Sequence, residues 1–212
     1  RCVVIGEDLG TVPEGFRATL TEAGLLGCRV LYFEQEEVGR FRPAASYPQA
    51  CLASISTHDL PTLRGFWLGR DIEWRARLGL FADPAQAGRE RAERVRLRSG
   101  LLRLLGAEGL LPPELDPEQP PDELPWAVVL GLHRTLARSP ARIVIMQLED
   151  ALGVAEQANL PGTIAEHANW QSKLALALEE LAAEPEVRCL AEAIAEGRCE
   201  MALDATAVIG DK

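Results

Sequence analysis

The chain has 212 residues, 47% hydrophobic and 25% charged, a balance that supports a buried core and excludes disorder as a property of the whole chain. Its net charge of -10 argues against a nucleic-acid partner, because a polyanion is bound by Lys and Arg that displace its counterions. Five cysteines, an odd number without CxxC spacing, point to neither a disulfide framework nor a zinc site and fit a reducing cytoplasm. No run of about 18 apolar residues is present, so no membrane span is expected. The chain enters an apolar run directly after Arg1, which reads as a piece of a longer protein.

Four apolar runs read as buried parallel strands: residues 2–5, 29–33 (RVLYF), 51–55 (CLASI) and 142–146 (RIVIM). FRATLTEAG, between the first two, reads as a short helix started by Thr11 and Pro13 and stopped by Gly24 or Gly27. Strand, helix, strand at this spacing is a βαβ unit. Pro43 and Pro48 make the segment from the second strand to the third a loop. From 67 to 140 the texture is helical, and its six arginines between Arg89 and Arg103 read as a solvated, salt-bridged face. LPPELDPEQPPDELP is a proline-rich loop, and WAVVLGLHRTLARS a helix leading to the last strand. A helical tail rich in Ala, Leu and Glu follows, and residues 201–212 are expected to be irregular or non-native. The expected fold class is α/β with parallel strands. Four strands are half of what a (β/α)₈ barrel requires, so the second half of such a barrel is the economical reading.

Two strand ends carry candidate chemistry. Glu7 and Asp8 follow the first run, and Thr57, His58 and Asp59 follow the third. Catalytic groups of parallel α/β barrels project from such ends, although Asp8, Thr11 and Asp59 would serve equally as helix caps. Carboxylates meeting across a barrel mouth suit glycosidic bond cleavage. No dinucleotide, phosphate-loop, serine-hydrolase or zinc-protease motif is present. His58, His133 and His167 are too scattered for a metal site, and neither a metal nor another cofactor is expected. Trp67, Trp74, Trp126 and Trp170 could stack on sugar rings, but core packing is their default role.

VVIGEDLGTVPE, RVLYFE, FRPAASYP and STHDLPTLRGFW, followed by NLPGT and NW, resemble the consecutive blocks of bacterial amylomaltases, the disproportionating enzymes of glycoside hydrolase family 77. The resemblance covers roughly residues 1–181. It implies an amylase-like (β/α)₈ TIM barrel, of which residues 1–200 form the C-terminal catalytic part, with 67–140 a helical insertion before the last strand. It implies a 4-alpha-glucanotransferase that moves alpha-1,4-glucan segments between maltodextrins by a retaining mechanism. It places the general acid/base at Glu7 and the transition-state-stabilising aspartate at Asp59, with His58, Asp8 and Thr57 as substrate contacts. The nucleophilic aspartate and the N-terminal half of the barrel are expected outside this chain, which by itself is then inactive. Leu60-Pro61 replaces the HDND form of many members, and Ala155 to Ala158 replaces an Arg-Met-Asn block near Asn159. The alternatives are an alpha-glucan hydrolase of the same superfamily and a non-catalytic half-barrel.

Overall fold

The computed structural model describes residues 2–207. In chain order, α1 (Phe16–Glu22) leads to β1 (Gly27–Val30), and β2 (Gln35–Glu37) and β3 (Arg40–Phe41) form a hairpin before β4 (Cys51–Ser54). Helices α2 (Leu63–Leu68), α3 (Arg70–Arg77), α4 (Gln86–Ala107) and α5 (Trp126–Ala137) precede β5 (Ile143–Val144). Helices α6 (Leu148–Ala151), α7 (Leu178–Leu181) and α8 (Pro185–Ala207) complete the described chain.

The main sheet has the order β1-β4-β5, both pairings parallel, with Gly27 opposite Cys51 and Leu52 opposite Ile143. The run at 2–5 joins β1's side of the sheet through a single parallel bridge between Ile5 and Leu26, held by Leu26 N–H to Val4 O (3.0 Å) and Gly6 N–H to Leu26 O (2.8 Å). The expected full strand is thus reduced to one bridge. Val3, Val4 and Ile5 are 62%, 50% and 40% exposed, so this run lacks the flanking cover that a buried strand needs.

Several expected boundaries shift. The RVLYF run is a strand only to Val30, because Leu31–Phe33 closes into a 3-10 turn with Glu34 N–H bonded to Leu31 O. The expected loop from 34 to 50 contains the β2–β3 hairpin, turned by Gly39 at φ 82°. That hairpin lies so close to α4 that a Cβ on Gly100 would come within 2.2 Å of Gly39 O. The irregular end expected from 201 is helical to Ala207 as the continuation of α8, and residues 208–212 lie outside the described residues.

Alternation along the strands sorts the two sheet faces. Cys51, Ala53 and Ile55 are almost fully buried in the core, together with Leu63, Phe66 and Trp67 of α2, Leu101, Leu102 and Leu105 of α4, and Leu132 and Leu136 of α5. Trp67 thus takes the expected core role. Its indole N–H donates to Pro121 O (3.0 Å), and Arg98 of α4 reaches the Pro120 and Pro121 carbonyls, fastening the proline-rich loop. The arginine face of α4 is salt-bridged as expected: Arg94 to Asp71 (2.8 Å), Arg89 to Asp83 (2.6 Å) and Arg103 to Glu118 (2.7 Å). Helix α8 crosses α5 closely at Gly197, where a Cβ would meet that of Ala137 at 2.7 Å.

Candidate active site

Because the strands run parallel, their C-terminal ends share one edge of the sheet. Glu7, just past the Ile5 bridge, and Thr57 and His58, three and four residues past β4, line one cavity of about 300 Å³ there. Its floor uses the other alternating set: Cys28 and Val30 of β1, and Leu52, Ser54 and Ser56 in and after β4. Asp59 is not part of the lining. Its carboxylate, 45% exposed, lies beside His58, with Nε2 to Oδ2 at 3.5 Å. A larger cavity of about 540 Å³, bordered by Arg64, Trp126 and Asp150, contains none of Glu7, Thr57, His58 or Asp59, so size alone does not locate the chemistry.

The 57–61 turn is pinned at both ends. Ser56 Oγ donates to Pro61 O (2.8 Å), and Tyr32 Oη reaches the same carbonyl (3.4 Å). Asp59 N–H donates to Thr57 Oγ1 (3.3 Å). Thr62 then caps α2, accepting from Gly65 N–H (3.0 Å) while donating to Val154 O (2.6 Å). Asp150 of α6 accepts Leu63 N–H at 2.8 Å. Asp150 Oδ2 faces His133 Nε2 of α5 at 3.5 Å, and both side chains are sealed from solvent. His133 Nδ1 lies 2.9 Å from Val129 O and must donate there, since a carbonyl only accepts.

Asp8 points away from the Glu7 cavity. Its carboxylate accepts from Cys28 N–H (2.6 Å), Arg17 Nε (2.7 Å) and Arg29 Nη1 (3.2 Å) with 1% of the side chain exposed. Asp8, expected as a substrate contact, lies here in a clamp that ties the Glu7 turn to β1. Burial works to raise the Asp8 pKa, but the bonds from Cys28, Arg17 and Arg29 outweigh it and hold the carboxyl below its ordinary value of 3.8. The folded pKa is the lower one, so Asp8 contributes its stabilisation above the ordinary value and loses it as pH falls through the folded value. Urea midpoints should therefore separate native chain from Asp8→Asn at pH 6 and converge towards pH 3. A gap that is equal at both pH values would contradict this.

A second loop approaches from the far end of the chain. Asn159 Nδ2 donates to Asp59 Oδ1 (2.6 Å), and the Trp170 ring lies 5.3 Å from the His58 ring. Asn169 braces this loop: its Oδ1 accepts Leu160 N–H (2.9 Å) and sits 2.7 Å from His167 Nδ1, while its Nδ2 reaches Thr163 Oγ1 (2.8 Å). Trp74 of α3 packs edge-on against His167. Asn159 and Trp170 lie about 100 residues or more from Asp59, so only their place in the NLPGT and NW blocks marked them in the sequence. Among the described residues, no group of three or more His, Cys, Asp or Glu is arranged to hold a metal, and no helix is long and apolar enough to cross a membrane.

The sequence profile of the 4-alpha-glucanotransferase family, glycoside hydrolase family 77, matches residues 1–178. The chain belongs to this family. A 4-alpha-glucanotransferase of Mycobacterium bovis is 37% identical over 204 residues, which are 91% of this chain and 27% of that protein. One from Haemophilus influenzae is 36% identical over 174 residues, 82% of this chain and 25% of that protein. Among solved structures, the amylomaltase of Corynebacterium glutamicum superposes with a TM-score of 0.79 at 27% identity, covering 91% of this chain and 28% of that one. The α/β fold is therefore that of this family. The chain spans about a quarter of the length of these relatives, 27% and 25% of the two named.

Proposed function

We propose that these residues form the C-terminal part of the catalytic barrel of a retaining 4-alpha-glucanotransferase. The carrying observation is that Glu7, Thr57 and His58 line one cavity at the C-terminal edge of a parallel sheet, with His58 beside Asp59. On this reading residues 1–200 are one barrel portion, and 67–140 is an insertion that shares its core. The exposed Val3, Val4 and Ile5 then mark where the N-terminal half of the barrel seats. Five free thiols suit a cytoplasmic enzyme acting on maltodextrins.

The chemistry needs two displacements at the anomeric carbon. In the first, a nucleophilic carboxylate bonds to C1, the C1–O bond to the leaving glucan breaks, and Glu7 gives its proton to that oxygen. In the second, Glu7 takes the proton of an acceptor 4-hydroxyl, whose oxygen bonds to C1 and releases the nucleophile. Asp59, oriented by Asn159 and His58, stabilises the positive charge that develops on the sugar in the transition state of each displacement. The nucleophile belongs to a barrel strand other than the ones described.

Maltotriose is the discriminating substrate. An enzyme in which these residues are joined to the remaining barrel should yield glucose and maltopentaose. Shortening without longer products would make it a hydrolase and sink the transferase reading. The 212 residues by themselves should yield neither product, because on this reading the nucleophile that holds the glucosyl group between steps lies on a strand outside them.

A further inference from the structure

We propose that Trp170 is an aromatic platform for a pyranose ring of an α-1,4-glucan, adjoining the cavity of Glu7 and His58. This rests on the glucan-processing reading of that cavity and extends it to a residue outside it. Trp170 is 63% exposed, whereas Trp67 is fully buried and Trp74 is held by Glu156. It is also the one non-glycine among the described residues with a positive φ, at 61°. A bulky side chain rarely occupies that region, and such strain persists only where the surroundings impose it.

The surroundings here do so from two sides. Trp170 N–H donates to Ala158 O (2.8 Å), next to the Asn159 that holds Asp59. On the other side the Asn169 side chain locks residues 160–167, and Trp74 backs His167. The loop therefore turns a large apolar ring away from this portion's core and sets it tilted by 44° against His58. One face of a pyranose is lined by C–H groups, which pack on the flat apolar body of an indole. A sugar whose hydroxyls contact His58 lies within reach of that face.

Folding stability and binding separate in the test. Asparagine tolerates the left-handed conformation, so Trp170→Asn should keep or raise the urea midpoint, whereas a structural tryptophan would lower it. In ¹H–¹⁵N spectra of the enzyme carrying the complete barrel, with turnover blocked by Glu7→Gln, the indole signal missing when Trp170→Asn is added should be the one that moves most on titration with maltoheptaose. The variant's affinity should be about tenfold weaker, and Trp170→Phe should recover most of the loss. Unchanged affinity in Trp170→Asn, with the enzyme that keeps Trp170 binding, overturns this assignment alone. Complete-barrel enzyme with Trp170 in place that shows no saturable response to maltoheptaose overturns the glucan reading and this assignment together. A Trp170 signal that moves with protein concentration and not with sugar also overturns it, in favour of a contact between chains.

Discussion

Replacing Glu7 by Gln in an enzyme carrying the complete barrel is expected to reduce transfer from maltotriose by a factor of about 10²–10⁴, the range for loss of a general acid/base. On the proposed mechanism the carboxyl gives a proton to the leaving oxygen and takes one from the acceptor, and an amide can do neither. Stability should be nearly untouched, because Glu7 is exposed at the cavity and takes no part in the clamp that Asp8 provides. The pair of measurements is therefore specific. Glu7→Gln should retain its urea midpoint and lose turnover, while Asp8→Asn should lose stability at neutral pH. Turnover of maltotriose by Glu7→Gln within a few-fold of the native enzyme would remove Glu7 from the role.

Asp150→Ala is expected to cost about 1–3 kcal/mol of folding stability, the range for leaving a buried donor without its acceptor. Asp150 supports two groups at once. Its Oδ1 satisfies Leu63 N–H at the start of α2, and its Oδ2 faces His133 Nε2 at 3.5 Å. Neither Oδ2 nor Nε2 has another hydrogen-bond partner among the described residues, so the two face only each other in a site sealed from solvent. Removing the carboxyl leaves the Leu63 amide without its acceptor in a sealed site. The total stability of a domain is commonly about 5–15 kcal/mol, so the loss should appear as a large fall in urea midpoint. His133→Phe combined with Asp150→Leu should recover part of it, because an apolar pair requires no partner there. A single-variant loss below about 1 kcal/mol would show that the pair is not the support for α2 described here. Because α2 follows the 57–61 turn, the same substitution should loosen the placement of His58 and Asp59.

Much of the fold was legible in the sequence, and the reasons are local. The run at 51–55 is apolar, β-branched at its end and bounded by breakers, so it can only bury itself, and β4 lies at Cys51–Ser54. The arginine spacing on α4 made salt bridges legible, and Asp83 and Glu118 meet Arg89 and Arg103 in solvent, although the Arg94–Asp71 pair is largely buried against Phe66. That Glu7, Thr57 and His58 share one edge of the sheet was legible from their places after two apolar runs, because parallel strands present their C-terminal ends together.

Other features depended on contacts between distant segments. The adjacent pair Glu7 and Asp8 has one chemistry in sequence, yet Arg17, Arg29 and the Cys28 amide take Asp8 into the wall and leave Glu7 in the cavity. The apolarity of Cys2 to Ile5 could not reveal that this run forms only one bridge, because ladder length depends on the neighbours that flank a strand. Trp170 has the composition of a core residue, and only the Asn169 bracing and the Ala158 hydrogen bond turn it outward beside His58. Periodicity reports which side chains prefer burial. Which of them obtain it is decided by long-range hydrogen bonds and packing that no local pattern encodes.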